Sequence, residues 1–106
     1  MASNRVWARR FKEAREAKGL SQRQLGIEAG LDPSVASTRI NRYETGVHRA
    51  AGPITEKVAQ VLDIPVAYLY ADDDLLAELI LFFDRASAAQ KAELLHLVHE
   101  WKQKKT

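Results

Sequence analysis

Apolar residues return every three or four positions along most of this chain, and glycine and proline interrupt the rhythm at short intervals. That pattern predicts a series of short amphipathic helices and no sheet, because no stretch sustains a two-residue alternation. Trp7, Phe11 and Ala14 share one side of a first helix over about 4–18. Arg9, Arg10, Lys12, Glu13 and Glu16 occupy the rest, and Gly19 is placed to end it. Ser21 and Gln24 have the spacing of a capping box and open a second helix, with Leu25 and Ala29 inward. Gly30 and Leu31 turn the chain. Asp32 as N-cap and Pro33 at the first helical position then predict a third helix running to Gly46. A loop, VHRAAG, leads to a fourth helix over 54–62, with Ile54, Val58, Val61 and Leu62 inward, and Pro65 opens a fifth, PVAYLY.

The third helix divides sharply. Ala36, Ile40 and Tyr43 line one side, and Ser34, Ser37, Thr38, Asn41 and Arg42 line the other. Charge adds to that contrast. Residues 1–70 hold eleven Lys/Arg against seven Asp/Glu, and residues 71–106 hold five against seven. The basic excess thus lies in the first two-thirds, where an anionic partner would bind. The chain has no cysteine, which excludes thiolate chemistry and disulfides. Its start is charged throughout and is not a secretory signal, and no apolar run is long enough to span a bilayer, so a cytoplasmic protein without a membrane partner is expected.

The last third reads differently. Asp72, Asp73 and Asp74 suit the N-terminus of a sixth helix, LLAELILFF (75–83), in which only Glu78 is polar. A helix so apolar is expected to be covered on more than one side. A seventh helix begins near Ser87 and carries a stripe of Leu94, Leu97, Val98 and Trp101, with Trp101 as its packing anchor. His96 and His99, near Glu93 and Glu100, have a spacing that metals use, but they fill the wet face opposite the stripe, and no metal is expected there. Surface left bare on helix six predicts a second copy of the chain, with Leu76, Leu79, Ile80, Phe83, Leu94, Val98 and Trp101 at the contact.

Two helices joined by a glycine turn, the second with a polar outer face, is the physical plan of a helix-turn-helix. The stretch GLSQRQLGIEAGL followed by INRYETG resembles the Xre/Cro family of phage-type repressors. Arg15, Gly19, Leu20, Ser21, Gln22, Leu25, Gly30, Leu31, Ile40, Glu44, Gly46 and Pro53 match that family's pattern. AQVLDIPVAYLY is similar to its closing helices, and the resemblance covers about Phe11 to Leu69.

The resemblance implies an all-α fold with a five-helix repressor-like helix-turn-helix domain over 1–71. Beyond it, the apolar pattern of the last third predicts a two-helix extension over 72–106 that serves dimerisation. The resemblance also implies that Ser37, Thr38, Asn41 and Arg42 meet base edges of a double-stranded DNA operator. Gln22, Arg23, Ser34, Thr45, His48 and Arg49 would contact its backbone, and Arg15 and Glu44 would form a structural ion pair. Arginine suits guanine O6 and N7, and Ser or Thr suits several bases. Two departures stand out. Gly26 replaces the usual alanine and costs helix propensity, and the segment before Ile40 is longer by about one helical turn, roughly Pro33 to Ala36.

The function expected is a dimeric, sequence-specific repressor with recognition helices about 34 Å apart. The alternative is an antitoxin-like or adaptor module whose apolar C-terminal helices grip a different protein. No glycine-rich phosphate loop or nucleophile elbow points to an enzyme, and no cofactor or small-molecule substrate is expected.

Overall fold

The computed structural model describes residues 4–104, which form seven helices and, among those residues, no strand. They are α1 (Asn4–Lys18), α2 (Gln22–Glu28), α3 (Ala36–Glu44), α4 (Gly52–Leu62), α5 (Val66–Tyr70), α6 (Asp74–Arg85) and α7 (Ala88–Lys104). The all-α expectation holds.

The core lies where α1, α3, α4 and α5 meet. Trp7, Phe11, Leu25, Ile40, Val58 and Leu69 are fully buried in it. The Trp7 and Phe11 rings stack at 5.0 Å, and Tyr43 from α3 meets each of them edge-on at 6.4 Å. Helix ends follow local chemistry. Ser21 and Gln24 make the reciprocal capping box that their spacing predicts. Ser87 and Gln90 make a similar pair of bonds ahead of α7. Gly19 and Gly46 adopt positive φ, at 77° each, where a side chain would be strained. Helix α4 starts two residues earlier than expected, with Pro53 in its first turn.

Three expectations need correction. The first concerns the start of the third helix, which begins at Ala36 and not at Pro33. The Asp32 carboxylate accepts the Ser34 amide at 2.8 Å and the Ser34 hydroxyl at 2.6 Å. These bonds hold the carboxyl below its usual pKa range, the hydroxyl bond first. They also lock residues 32–34 into a local turn that competes with the helix. Val35 follows at φ −120° and ψ −1°, outside the helical range. The additional residues therefore form a turn ahead of the helix, and Ser34 does not lie on its polar face.

The second concerns Arg10, which is grouped above with the polar residues of α1. It is buried. Its Nε donates to the Ala71 carbonyl at 2.7 Å, Nη2 reaches Asp74 Oδ1 at 2.9 Å, and its guanidinium lies 5.5 Å from the centre of the Tyr68 ring. Arg9 also reaches Asp74, at 3.2 Å. Asp73 is the residue that caps α6, accepting from Leu75 N–H and Leu76 N–H. Asp74 instead ties α6 to α1, and the hydrogen bond from Arg10 holds its carboxyl below the ordinary range.

The third concerns α7. No residue of that helix is buried, and Trp101 is 61% exposed, so within one chain it anchors nothing. Helix α7 meets α6 at Leu94 and at Lys91, whose ammonium lies 5.3 Å from the centre of the Phe83 ring, and Phe82 shares a shallow pocket with Leu97 and Glu100. The radius of gyration is 16.2 Å. A compact chain of this length would have about 13 Å. The longest dimension is 56 Å against 27 and 21 Å for the others, so α7 projects from the body.

Gly26 has a steric role beyond its weak helix propensity. A Cβ built on it would lie 2.7 Å from the Ala36 Cβ and 3.0 Å from the Ala36 Cα. Here α2 and α3 approach so closely that only glycine fits.

Candidate nucleic-acid interface

Helix α3 rests on the core through Ala36, Ile40, Tyr43 and Glu44, all buried. Ser37, Thr38, Arg39, Asn41 and Arg42 are exposed. At 100° per residue, Thr38 and Arg42 lie almost opposite the buried side, with Asn41 and Ser37 towards one edge and Arg39 towards the other. The structure thus brings all four expected base-contacting residues onto one exposed surface. No intramolecular side-chain bond engages Ser37, Thr38 or Arg42 among the described residues.

The Arg15–Glu44 pair sets the angle of this surface. Arg15 Nε and Nη2 hold the two carboxylate oxygens of Glu44, the second at 3.1 Å, and Nη1 donates to the Leu20 carbonyl at 2.8 Å. The hydrogen bond to Glu44 holds the Arg15 pKa above its usual value. One fork therefore fixes α1, the turn before α2, and the end of α3. Gln22 joins it: Nε2 donates to Glu44 Oε1 at 3.0 Å and to Asn41 Oδ1 at 3.2 Å. With Asn41 Oδ1 engaged, the group Asn41 turns outward is its amide donor.

The expected backbone-contacting residues are more scattered. Arg23 is exposed at the start of α2, beside Gln22, whose amide group donates to Glu44 and Asn41. The Thr45 hydroxyl donates to the carbonyls of Asn41 and Arg42, at 3.0 and 3.3 Å, which is the work of a helix terminus. His48 is exposed in the loop after α3, with its own N–H bonded to the Arg42 carbonyl at 3.2 Å. The Arg49 guanidinium lies 5.9 Å from the centre of the Tyr70 ring, which steadies it beside α5. Ser34 is turned back onto Asp32.

Sequence reasoning passed over Arg39. Its Nη2 donates to the Tyr43 hydroxyl at 2.8 Å and its guanidinium sits 5.9 Å from that ring's centre. The i, i+4 spacing of Arg39 and Tyr43 was the available signal.

Among the described residues no group of three or more His, Cys, Asp or Glu side chains is arranged to hold a metal; His96 Nε2 lies 3.7 Å from a Glu100 carboxylate oxygen. No helix there is long and apolar enough to cross a membrane.

Residues 8–79 match the helix-turn-helix domain family, from within α1 to the middle of α6. The crystal structure of the transcriptional regulator BswR is similar to this chain, with a TM-score of 0.83 and 41% sequence identity over 88% of this chain and 92% of that one. No curated protein matches the chain.

Proposed function

We propose that this chain, which belongs to the helix-turn-helix domain family, is a sequence-specific double-stranded DNA-binding transcriptional regulator that acts in the cytoplasm as a dimeric repressor. One observation carries the reading. Thr38, Asn41 and Arg42 form an exposed strip of donors on a helix whose opposite side is locked into the core, so that strip can enter a major groove without the helix rearranging. The likeness to BswR supports regulation of transcription as the purpose of such binding. Repression would be steric: the protein occupies its operator and excludes polymerase.

The division of labour we propose keeps residues 1–71 for DNA and residues 72–106 for association. Leu76, Leu79, Phe83, Val98 and Trp101 are exposed on α6 and α7, with Ile80 and Leu94 half-buried beside them. Pro65, Leu76, Leu79, Ile80, Phe83 and Leu94 line an apolar groove in the same place. Exposed apolar side chains gathered around such a groove call for a partner. A second copy is the choice that DNA reading favours, because two linked recognition helices about 34 Å apart read two half-sites on one face of the duplex. The same surface would equally hold a different protein, as in an adaptor, and sedimentation separates the two readings.

Selection of binding sites from a random duplex pool at near-physiological salt tests the function. The expected product is a site with two related halves about one helical turn apart. Uniform, salt-sensitive binding with no enriched site would defeat the proposal. Arg42→Ala should then lose about 1–3 kcal/mol on the selected site and relax base choice at one position of each half. Equal loss on all sequences would make Arg42 a phosphate contact. Leu79→Asp should halve the mass seen in sedimentation equilibrium while leaving the helical spectrum intact. A variant that sediments like the parent would place the interface elsewhere.

A further inference from the structure

The turn that lengthens the approach to α3 ends in an apolar side chain. Val35 is 40% exposed, and it sits immediately before the helix that bears the proposed DNA-reading strip. Its carbonyl accepts the Arg39 N–H at 2.9 Å, which puts Val35 in register with the first helical turn. Val35, Thr38 and Arg42 stand at i, i+3 and i+7. They fall along one line of α3, away from the Ala36–Ile40–Tyr43 side.

From this placement we infer that Val35 reads the 5-methyl group of a thymine, at the edge of the bases met by α3; the inference rests on the DNA-binding reading above. On the major-groove edges of the four bases the thymine methyl is the apolar feature, and small apolar side chains are what contact it.

The local structure holds Val35 ready for that task. Pro33 restricts the backbone of the turn. Asp32 fixes Ser34 through two hydrogen bonds, and the Val35 N–H donates to the Asp32 carbonyl at 3.0 Å. A β-branched side chain has few rotamers to lose when it meets a base. The turn thereby adds a reading position next to Thr38 without lengthening α3 itself.

The test uses the full chain and the site it selects from a random duplex pool. Each thymine of one half-site is replaced in turn by deoxyuridine, which removes only the 5-methyl group, and affinity is measured for the parent and for Val35→Ser. The parent should lose about fourfold at one thymine, the factor expected when one buried methyl-sized group is removed. Val35→Ser should bind the thymine site about fourfold more weakly than the parent and should not distinguish thymine from deoxyuridine there. Its melting temperature should change little, since Val35 is not one of the buried core residues. A parent indifferent to every replacement would overturn the inference while leaving the DNA-binding reading standing. So would a Val35→Ser variant that keeps the full loss at the same thymine. Failure to select any site would remove the sequence-specific reading, and the role of Val35 with it.

Discussion

Arg15→Met is expected to destabilise the protein by about 3–5 kcal/mol, more than any substitution on the exposed side of α3. The Glu44 side chain is 2% exposed and that of Arg15 12%. Removing the guanidinium leaves a carboxylate in a site with almost no water. Its remaining side-chain donor is Gln22 Nε2, at 3.0 Å. The Leu20 carbonyl also loses a donor. The cost is then mostly that of an uncompensated charge, and only partly that of the lost bond. This distinction can be tested. The double variant Arg15→Met with Glu44→Leu should recover most of the loss, because neither charge is left behind. Denaturant unfolding of the two single variants and the double one closes the cycle. A single-variant loss below about 1 kcal/mol would mean that water reaches Glu44 and the pair behaves like a surface one. The variant should also weaken DNA binding at temperatures where it stays folded, because Glu44 and Gln22 together hold Asn41.

Gly26→Ala should lower stability by about 1–2 kcal/mol, although alanine is the better helix former by about 1 kcal/mol. Two effects oppose each other. Propensity favours alanine in α2, while the added methyl lands 2.7 Å from the Ala36 Cβ, 3.0 Å from its Cα and 3.1 Å from its carbonyl oxygen. The obstacle is backbone and a Cβ, with no flexible tip to swing aside, so the helices must separate. Overpacking of that kind costs about 1–3 kcal/mol and exceeds the propensity gain. Adding Ala36→Gly to Gly26→Ala should restore part of the loss by removing the shortest contact. A thermal melt that rises for Gly26→Ala alone would mean that α2 and α3 part cheaply. The same variant should weaken selected-site binding, since α3 is carried away from the angle set by Arg15 and Glu44.

These two positions show what was legible in the chain and what was not. The apolar periodicity and the capping residues placed the helices well. Trp7, Phe11, Ile40 and Tyr43 are buried as their spacing predicts, and Ser21 with Gln24 opens α2. The exposed set Ser37, Thr38, Asn41 and Arg42 follows from the same periodicity, because a helix that buries Ala36, Ile40 and Tyr43 must turn those residues outward.

The errors came where local signals compete or where distant elements meet. Asp32 and Pro33 are good openers of a helix, yet the Asp32 carboxylate bonds to Ser34 first, and a turn forms in place of the extra helical residues. Arg10 was grouped with the polar side of α1 for its charge, although Trp7 and Ala14 stand three residues before it and four after it on the same helix. Its burial depends on the Ala71 carbonyl and Asp74, more than sixty residues away.

What the sequence determined by itself is therefore the identity and order of the helices and the inward facing of residues such as Trp7, Phe11, Ile40 and Tyr43, because those depend on residues within a turn or two of each other. What only the tertiary structure decided is the close approach at Gly26, the burial of Arg10 and the projection of α7 beyond the body. Each of these depends on packing between elements far apart in the chain, and helical periodicity carries no information about how closely two helices pack or what a distant loop brings to them.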